Sequence, residues 1–193
     1  SNVTDMSEMF SGCKFFNSDL SGWDVSNVTQ IWHMFTFCWN FNSDLSGWDV
    51  SNTTNMNAMF NENHKFNSDI SSWDVSNVTN MKKMFYDTRD FNQDISSWNI
   101  SNVTNMDNIF AFYISIGLSH ENKCAIHESF QTNDAWPHND WSAYCAVAGC
   151  MDASACNYNA AANEDDGSCL QDDCAGECGG DAVADNCGTC DAD

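Results

Sequence analysis

Positive charge is scarce in this sequence of 193 residues. Only 6 Lys and Arg side chains stand against 28 Asp and Glu, which gives a formal net charge of −22. Nucleic acids and anionic membranes are bound through Lys and Arg, so we expect neither class of partner. A surface this acidic favours divalent cations and strong hydration instead.

Long apolar runs and catalytic motifs are also missing. No stretch of about 18 apolar residues occurs, so membrane insertion is not expected. The five histidines form neither an HExxH nor a CxxCH motif, and there is no GxSxG and no glycine-rich phosphate loop. We therefore expect no enzymatic activity and no catalytic cofactor.

The chain has no initiator Met and no signal peptide, and Ser1 coincides with the start of a repeat unit. These features indicate a mature or excised fragment of a longer polypeptide. Eleven cysteines are present, and seven of them lie in the last 44 residues. Such a density predicts an oxidising, secreted or cell-surface location.

A strict 25-residue repeat fills the first half of the chain. Its signature SGWDVSNVT at 21–29 recurs at 46–54, 71–79 and 96–104 with few changes. Repeats without insertions predict a solenoid in which each unit is one coil stacked on the last. Eight apolar columns should form the core, and in the first unit they are Val3, Met6, Met9, Phe10, Phe16, Leu20, Trp23 and Val25.

Each coil is expected to contain one short parallel strand and one helical turn. Leu20, Trp23 and Val25 have the spacing of a leucine-rich-repeat strand, which predicts the strand at 21–25. The apolar residues of segment 6–10 have the spacing of a short helical turn on the opposite side.

The pattern SNVTxMxxMF followed by FNSDLSGWDV resembles the BspA-like leucine-rich surface-protein repeat, which is also common in mycoplasma lipoproteins. The resemblance covers residues 1–110 and implies a right-handed solenoid, secreted or displayed on a cell surface. It supplies no shared catalytic site.

We divide the chain into a leucine-rich-repeat-like solenoid at 1–110, a helical C-terminal cap at 111–148 and a disulfide-rich acidic module at 149–193. In the cap, Ser119 is expected to begin a helix that runs through Phe130. The module resembles small Cys- and Asp-rich modules that recur in tandem on secreted proteins, notably of marine bacteria. We interpret its end as a stop inside such an array.

Five Asn-x-Thr sequons, one per repeat, predict a row of N-linked glycans. Their asparagines are Asn2, Asn27, Asn52, Asn77 and Asn102. The alternative is structural, because Asn and Thr at a corner of the chain also satisfy backbone groups. Two further columns recur. The column of Asn17 predicts a buried ladder of amides, and the column of Asp19 predicts backbone caps or, alternatively, a row of calcium sites.

Disulfides are expected throughout. Cys13 and Cys38 occupy one column in adjacent coils, at a separation that suits a bridge. Cys124 and Cys145 are expected to tie the cap together. The tail holds the remaining cysteines, which are Cys150, Cys156, Cys169, Cys174, Cys178, Cys187 and Cys190.

Within the tail, a bridge from Cys150 to Cys169 would close the first module. The pairs Cys174-x-x-x-Cys178 and Cys187-x-x-Cys190 leave zinc ligation open as the alternative to disulfides. Seven tail cysteines are an odd number, so one partner is expected beyond residue 193 or on another chain.

Hard oxygen ligands are concentrated in one loop of the tail. They are Asp152, Asn157, Asn159, Asn163, Asp165 and Asp166. Carboxylate and amide oxygens are typical calcium ligands, although the spacing is not that of an EF-hand. The alternative is a solvated acidic turn.

These features predict a structural, non-catalytic subunit of an extracellular fibre or cell-surface assembly. Its partners would be copies of itself in a linear assembly, or neighbouring modules of a longer chain. The alternative is a secreted adhesin or ligand-binding leucine-rich-repeat module with a glycan or host-surface ligand. The aromatic residues that would contact such a ligand are those in variable positions of the repeat, Trp32, Trp39 and Tyr86.

Overall fold

The computed structural model describes residues 2–110, 117–184 and 190–191. The chain divides into two compact units, Ser1–Cys145 and Ala146–Asp193. The regular elements are helix α1 (His120–Phe130), a 3-10 helix (Asn139–Tyr144) and the two-residue strands β1 (Ala148–Gly149), β2 (Glu164–Asp165), β3 (Val183–Ala184) and β4 (Cys190–Asp191). Strand β1 pairs with β2 in parallel, and β3 pairs with β4 antiparallel. No helix in the described ranges is long and apolar enough to cross a bilayer.

The repeats of the first unit stack on one another one period apart. We call each 25-residue repeat a coil and number the coils from the first, so coil two begins at residue 26. Parallel bridges join residue 5 of each coil to its counterpart in the next, along the column Asp5, Gln30, Asn55, Asn80 and Asn105. Neighbouring coils are therefore in strict register, as the uninterrupted repeat predicted.

The hydrogen-bond ladder between coils lies on the segment that the sequence predicted as a helical turn. The N–H groups of Met6, Glu8, Phe10 and Gly12 donate to carbonyls of coil two over 2.8–3.0 Å. Glu8 has a left-handed φ of 59°, and its counterparts in the other four coils have values of 51–56°. A left-handed residue breaks a helix. The predicted helical turn is therefore wrong.

No strand is assigned at 21–25, where the sequence predicted one. The chain turns there, because Trp23 N donates to Leu20 O at 3.0 Å. Asp19 accepts the N–H of Ser21 at 2.9 Å, and this local bond competes with pairing to a neighbouring coil. The predicted strand and the observed ladder thus lie on different segments of the coil.

The core consists of columns of stacked aromatic rings. Phe10, Phe35, Phe60, Phe85 and Phe110 form one column, with ring centroids 5.5–5.9 Å apart. A second column runs parallel to it through the Phe residues at positions 16, 41, 66 and 91. All eight predicted columns are buried in coils two to four, which confirms the predicted core.

Tryptophan adds a polar link between coils. The indole Nε1 of Trp48 donates to Leu20 O of the preceding coil at 3.0 Å, and Trp73 and Trp98 repeat this bond at 3.0 and 3.1 Å. The ring therefore fills the core while its N–H satisfies a buried carbonyl.

Helix α1 and the 3-10 helix pack against the last coils. Ser119 caps helix α1 by accepting the N–H of Asn122, and Ile126 and Phe130 are buried on its inner face. Trp141 packs on the ring of Phe110 with centroids 5.2 Å apart. The predicted bridge between Cys124 and Cys145 is present. Residues 111–116 of the predicted cap lie outside the described ranges.

Candidate interaction surfaces

The first coil presents an open core face. Val3 is 40% exposed, Met9 48% and Trp23 37%, whereas their counterparts in coil two are at most 4% exposed. The edge beside these side chains is also open. The carbonyls at positions 5, 7, 9 and 11 accept no backbone hydrogen bond from the described residues, although their counterparts in coil two accept one each. These side chains and carbonyls occupy the places at which each later coil contacts the coil before it.

The sequon asparagines form an exposed row with a structural task. The Nδ2 atoms of Asn52, Asn77 and Asn102 donate to a serine carbonyl of the preceding coil at 2.7–2.8 Å. All three side chains are exposed, as are those of Asn2 and Asn27. An amide nitrogen that carries a glycan keeps one N–H, so the hydrogen bond and glycosylation are compatible.

The sequon threonines form a second ladder. The hydroxyl groups of Thr29, Thr54, Thr79 and Thr104 each donate to the carbonyl of the Thr one coil earlier at 3.2 Å. The structural role of the motif is thereby established for its Asn and its Thr alike. Glycosylation of the motif stays a prediction.

The Asn17 column forms the predicted amide ladder, but it is not buried. The backbone N–H of Asn42 donates to Asn17 Oδ1, that of Asn67 to Asn42 and that of Asn92 to Asn67, each over 2.8 Å. Three of the four side chains are exposed. Ser119 N continues the ladder by donating to Asn92 Oδ1 at 2.8 Å, so the cap occupies the place of a further coil.

The Asp19 column consists of backbone caps. Asp19, Asp44, Asp69 and Asp94 each accept the N–H of the serine two residues later over 2.9–3.0 Å. These backbone bonds hold the pKa of Asp19, Asp44 and Asp69 below the ordinary value, because they stabilise the charged form. Capping, the first of the two roles predicted for this column, is confirmed.

A charged cluster that the sequence did not reveal lies where coils three and four meet. Glu62, His64 and Asp87 bring one ligand atom each to within 4.8 Å of one another. Arg89 donates through Nε and a terminal nitrogen to the two oxygens of Asp87 at 2.9 and 3.0 Å. These residues occupy variable positions, so the repeat pattern gave no signal. A comparison of the differing positions in adjacent units would have found them.

The repeats match one family model, described as DUF285, Mycoplasma protein of unknown function, over residues 4–117. This range is more than half of the chain. The chain belongs to the DUF285 family. No curated protein and no solved structure matches it. The family description names no activity, so the match establishes a mycoplasma-type repeat protein without assigning a function.

Within the DUF285 region, the predicted bridge between Cys13 and Cys38 is not formed. Cys38 is buried and its Sγ lies 2.9 Å from Phe10 O of the preceding coil, whereas Cys13 is an exposed free thiol. Thr88 holds the same column position and donates to Phe60 O at 2.8 Å. This column therefore points its side chains at the backbone of the preceding coil, and a shared column alone did not make a disulfide.

The tail lies beyond the DUF285 match and is held by disulfides. Cys150 and Cys169 form the predicted bridge, and Cys156 pairs with Cys178. Cys174 is disulfide-bonded as well, so the zinc alternative for Cys174 and Cys178 is wrong. Predictions for Cys187 and for the side chain of Cys190 fall outside the described residues. Three bridges with both ends described fit an extracellular protein.

The oxygens proposed as calcium ligands accept hydrogen bonds from backbone N–H groups of the tail. Asp152 accepts from Ser154, Asp165 from Gly167, and Asp166 from Ser168, each two residues later. The amides take part too, because Asn157, Asn159 and Asn163 accept backbone N–H groups at 2.7–3.0 Å. The solvated acidic turn therefore accounts for the geometry, and calcium binding stays a prediction.

Proposed function

We propose that the chain is a structural, non-catalytic subunit of an extracellular fibre or cell-surface assembly. Its repeat part would be a right-handed, leucine-rich-repeat-like solenoid of the BspA-like type. The 25-residue register of the backbone ladder and the stacked phenylalanine columns support this fold. The observation that carries the proposed role is that every described coil uses the same backbone donors and acceptors to stack on its neighbour.

The open face of the first coil is complementary to the face of another coil of this repeat that carries the N–H donors. Inside the stack, the N–H groups at positions 6, 8, 10 and 12 of one coil donate to carbonyls of the next coil. The first coil offers the matching carbonyls on its open edge, beside Val3, Met9 and Trp23. A partner coil would satisfy these acceptors and bury the apolar side chains at once.

The two ends of the stack differ, and this gives the subunit a direction. Helix α1 and Trp141 cover the last coil, and Ser119 occupies the ladder position that a further coil would take. The capped end is therefore closed to stacking. The coil that docks on the open face comes from a neighbouring repeat module of the assembly.

The exposed row of sequon asparagines would carry glycans along one edge of this subunit. Adjacent coils lie about 5 Å apart, so a fully occupied row would form a dense carbohydrate coat. Intact mass measured before and after deglycosylation of native material tests this. A polypeptide mass without any addition would contradict it.

The alternative, a secreted adhesin, draws support from exposed aromatic side chains, of which Phe15 is 87% exposed. Phe37 is 39% exposed and Trp39 is 37% exposed. However, Lys14 Nζ lies 4.1 Å from the centroid of the Trp39 ring, and the His64 ring stacks on it from coil three at 5.7 Å. Neighbouring side chains thus already cover much of the ring that a sugar would need.

Sedimentation velocity and electron microscopy of the full chain test the structural role. Because the capped end is closed, we expect the isolated wild type to associate only in pairs, and linear particles to occur in native material, where neighbouring repeat modules are present. Met9→Glu should abolish the pairing, because it places a charge on the open face. Met151→Glu is the matched control, since Met151 is also 48% exposed but lies in the second compact unit.

Equal association of Met9→Glu and the wild type would refute a role for the open face. A wild-type chain that stays monomeric at every concentration, yet binds immobilised glycans or host proteins, would favour the adhesin. Circular dichroism of the variants checks that each remains folded.

A further inference from the structure

We propose that Glu62, His64 and Asp87 form a binding site for one divalent transition-metal ion of the zinc type. The site lies on the ridge where coil three meets coil four. Glu62 N donates to Tyr86 O at 2.7 Å, which fixes the backbone of Glu62 against the following coil. His64 is anchored in the same way, because Asp90 N donates to its carbonyl at 3.0 Å.

The ligand atoms already have nearly the spacing that a zinc ion requires. Zinc bonds to nitrogen and oxygen are about 2.0–2.2 Å long, so two ligand atoms of a tetrahedron lie about 3.3 Å apart. His64 Nε2 lies 3.3 Å from Asp87 Oδ2. The Glu62 oxygen lies within 4.8 Å of both, and a rotation about its flexible side chain would complete three ligands. Water would supply the remaining position.

The imidazole nitrogen at this site faces a carboxylate. His64 Nε2 is buried, although the side chain as a whole is 24% exposed, and it lies at ion-pair distance, 3.3 Å, from Asp87 Oδ2 without a hydrogen bond of good geometry. A buried polar atom without a hydrogen bond is costly and calls for an explanation. The Trp39 ring stacks on the imidazole at 5.7 Å and keeps Nε2 directed at the carboxylates. A metal ion would satisfy the nitrogen and both carboxylates together.

The donor set and the local charge decide which ion fits. One imidazole and two carboxylates suit borderline ions such as Zn²⁺, Ni²⁺ or Co²⁺ better than Ca²⁺ or Mg²⁺. Asp87 has a side chain only 6% exposed, and Arg89 neutralises part of its charge through two hydrogen bonds. Arg89 therefore weakens the site, so its removal should tighten binding.

The site arises at one place in the repeat. The two positions that hold Glu62 and His64 in coil three hold Gly12 and Lys14 in coil one, and an aromatic pair in coil two. The other groups of three potential ligands among the described residues contain sulfurs that are already in disulfides, which removes them as thiolate ligands.

Isothermal titration calorimetry of the full chain with Zn²⁺ tests the proposal. Excess Mg²⁺ masks the acidic surface, and iodoacetamide blocks the exposed thiol of Cys13 beforehand. We expect one saturable site, with His64→Ala weakening the affinity by at least about tenfold. His33→Ala is the matched control, because this second histidine of the stack lies in coil two and should leave the affinity unchanged. Arg89→Ala should tighten binding.

Three results would overturn the proposal, the last of which concerns Arg89. The first is an absence of saturable binding in the presence of Mg²⁺. The second is an equal affinity in the wild type and His64→Ala, which would mean adventitious binding to the acidic surface only. Thermal unfolding in EDTA shows whether each variant is folded. An Arg89→Ala variant that is folded and binds no tighter than the wild type would assign the cluster to an ion pair instead.

Discussion

His138 should make the stability of the cap depend on pH between about 6.5 and 4. Its side chain is 1% exposed and lies among the rings of Trp136, Trp141 and Phe110, with the closest centroid 4.5 Å away. Burial among these rings lowers the pKa of His138 to about 4, and the negative charge of Asp140 opposes the shift only in part.

The magnitude follows from the difference between the folded and unfolded chains. An unfolded histidine has a pKa of about 6.5. A difference of about 2.5 between the two pKa values corresponds to about 3 kcal/mol. Because the folded chain holds His138 neutral, this stability is fully present above pH 6.5. It is lost as the pH falls towards 4, where the unfolded chain gains the proton first.

Urea unfolding at several pH values, followed by tryptophan fluorescence, measures this effect. All eight tryptophans lie in the first compact unit, so the signal reports on the repeats and the cap alone. In His138→Phe the ring is kept but cannot titrate, so the loss between pH 7 and 4 should be smaller by about 3 kcal/mol. His120→Phe is the control, since this histidine is exposed at the start of α1. If the wild type and His138→Phe differ by the same amount at every pH, the reasoning fails.

Three further predictions concern the coils. Trp73→Phe should lower the free energy of unfolding by about 1–3 kcal/mol, because a buried carbonyl loses its indole donor at 3.0 Å; Trp23→Phe, in the open first coil, should cost less in the same denaturant titration. Iodoacetamide should modify the exposed Cys13 but not Cys38, because burial raises the pKa of the Cys38 thiol to about 12. Peptide mass spectrometry that finds both cysteines labelled would contradict this. Asp44→Asn should reduce the loss of stability at low pH. The lowered pKa of Asp44 contributes stability that is present above pH 4 and is lost as the pH falls through that pKa. An unchanged acid titration would contradict this.

The sequence predicted the period and the core, because both depend on residues that recur in register. It placed the inter-coil ladder on the wrong segment of the coil. The spacing of Leu20, Trp23 and Val25 is that of a strand, but Asp19 turns the chain there by accepting Ser21 N. Conversely, the spacing at 6–10 is that of a helix, but the left-handed residue in every coil prevents one. Spacing alone does not reveal a backbone conformation that a non-glycine residue adopts against its preference.

Polar side chains that recur from coil to coil hold the stack together, whereas a binding site is formed at variable positions. Asn52, Thr54 and Trp48 each donate to a backbone carbonyl of the preceding coil, and their counterparts in the later coils do the same. A side chain that makes one bond in every coil cannot mark a unique place along the stack. A unique site must arise where adjacent units differ, as they do at Glu62 and Asp87. A comparison of the repeat units therefore locates the scaffold at positions where the residues recur, and the candidate sites at positions where the residues differ.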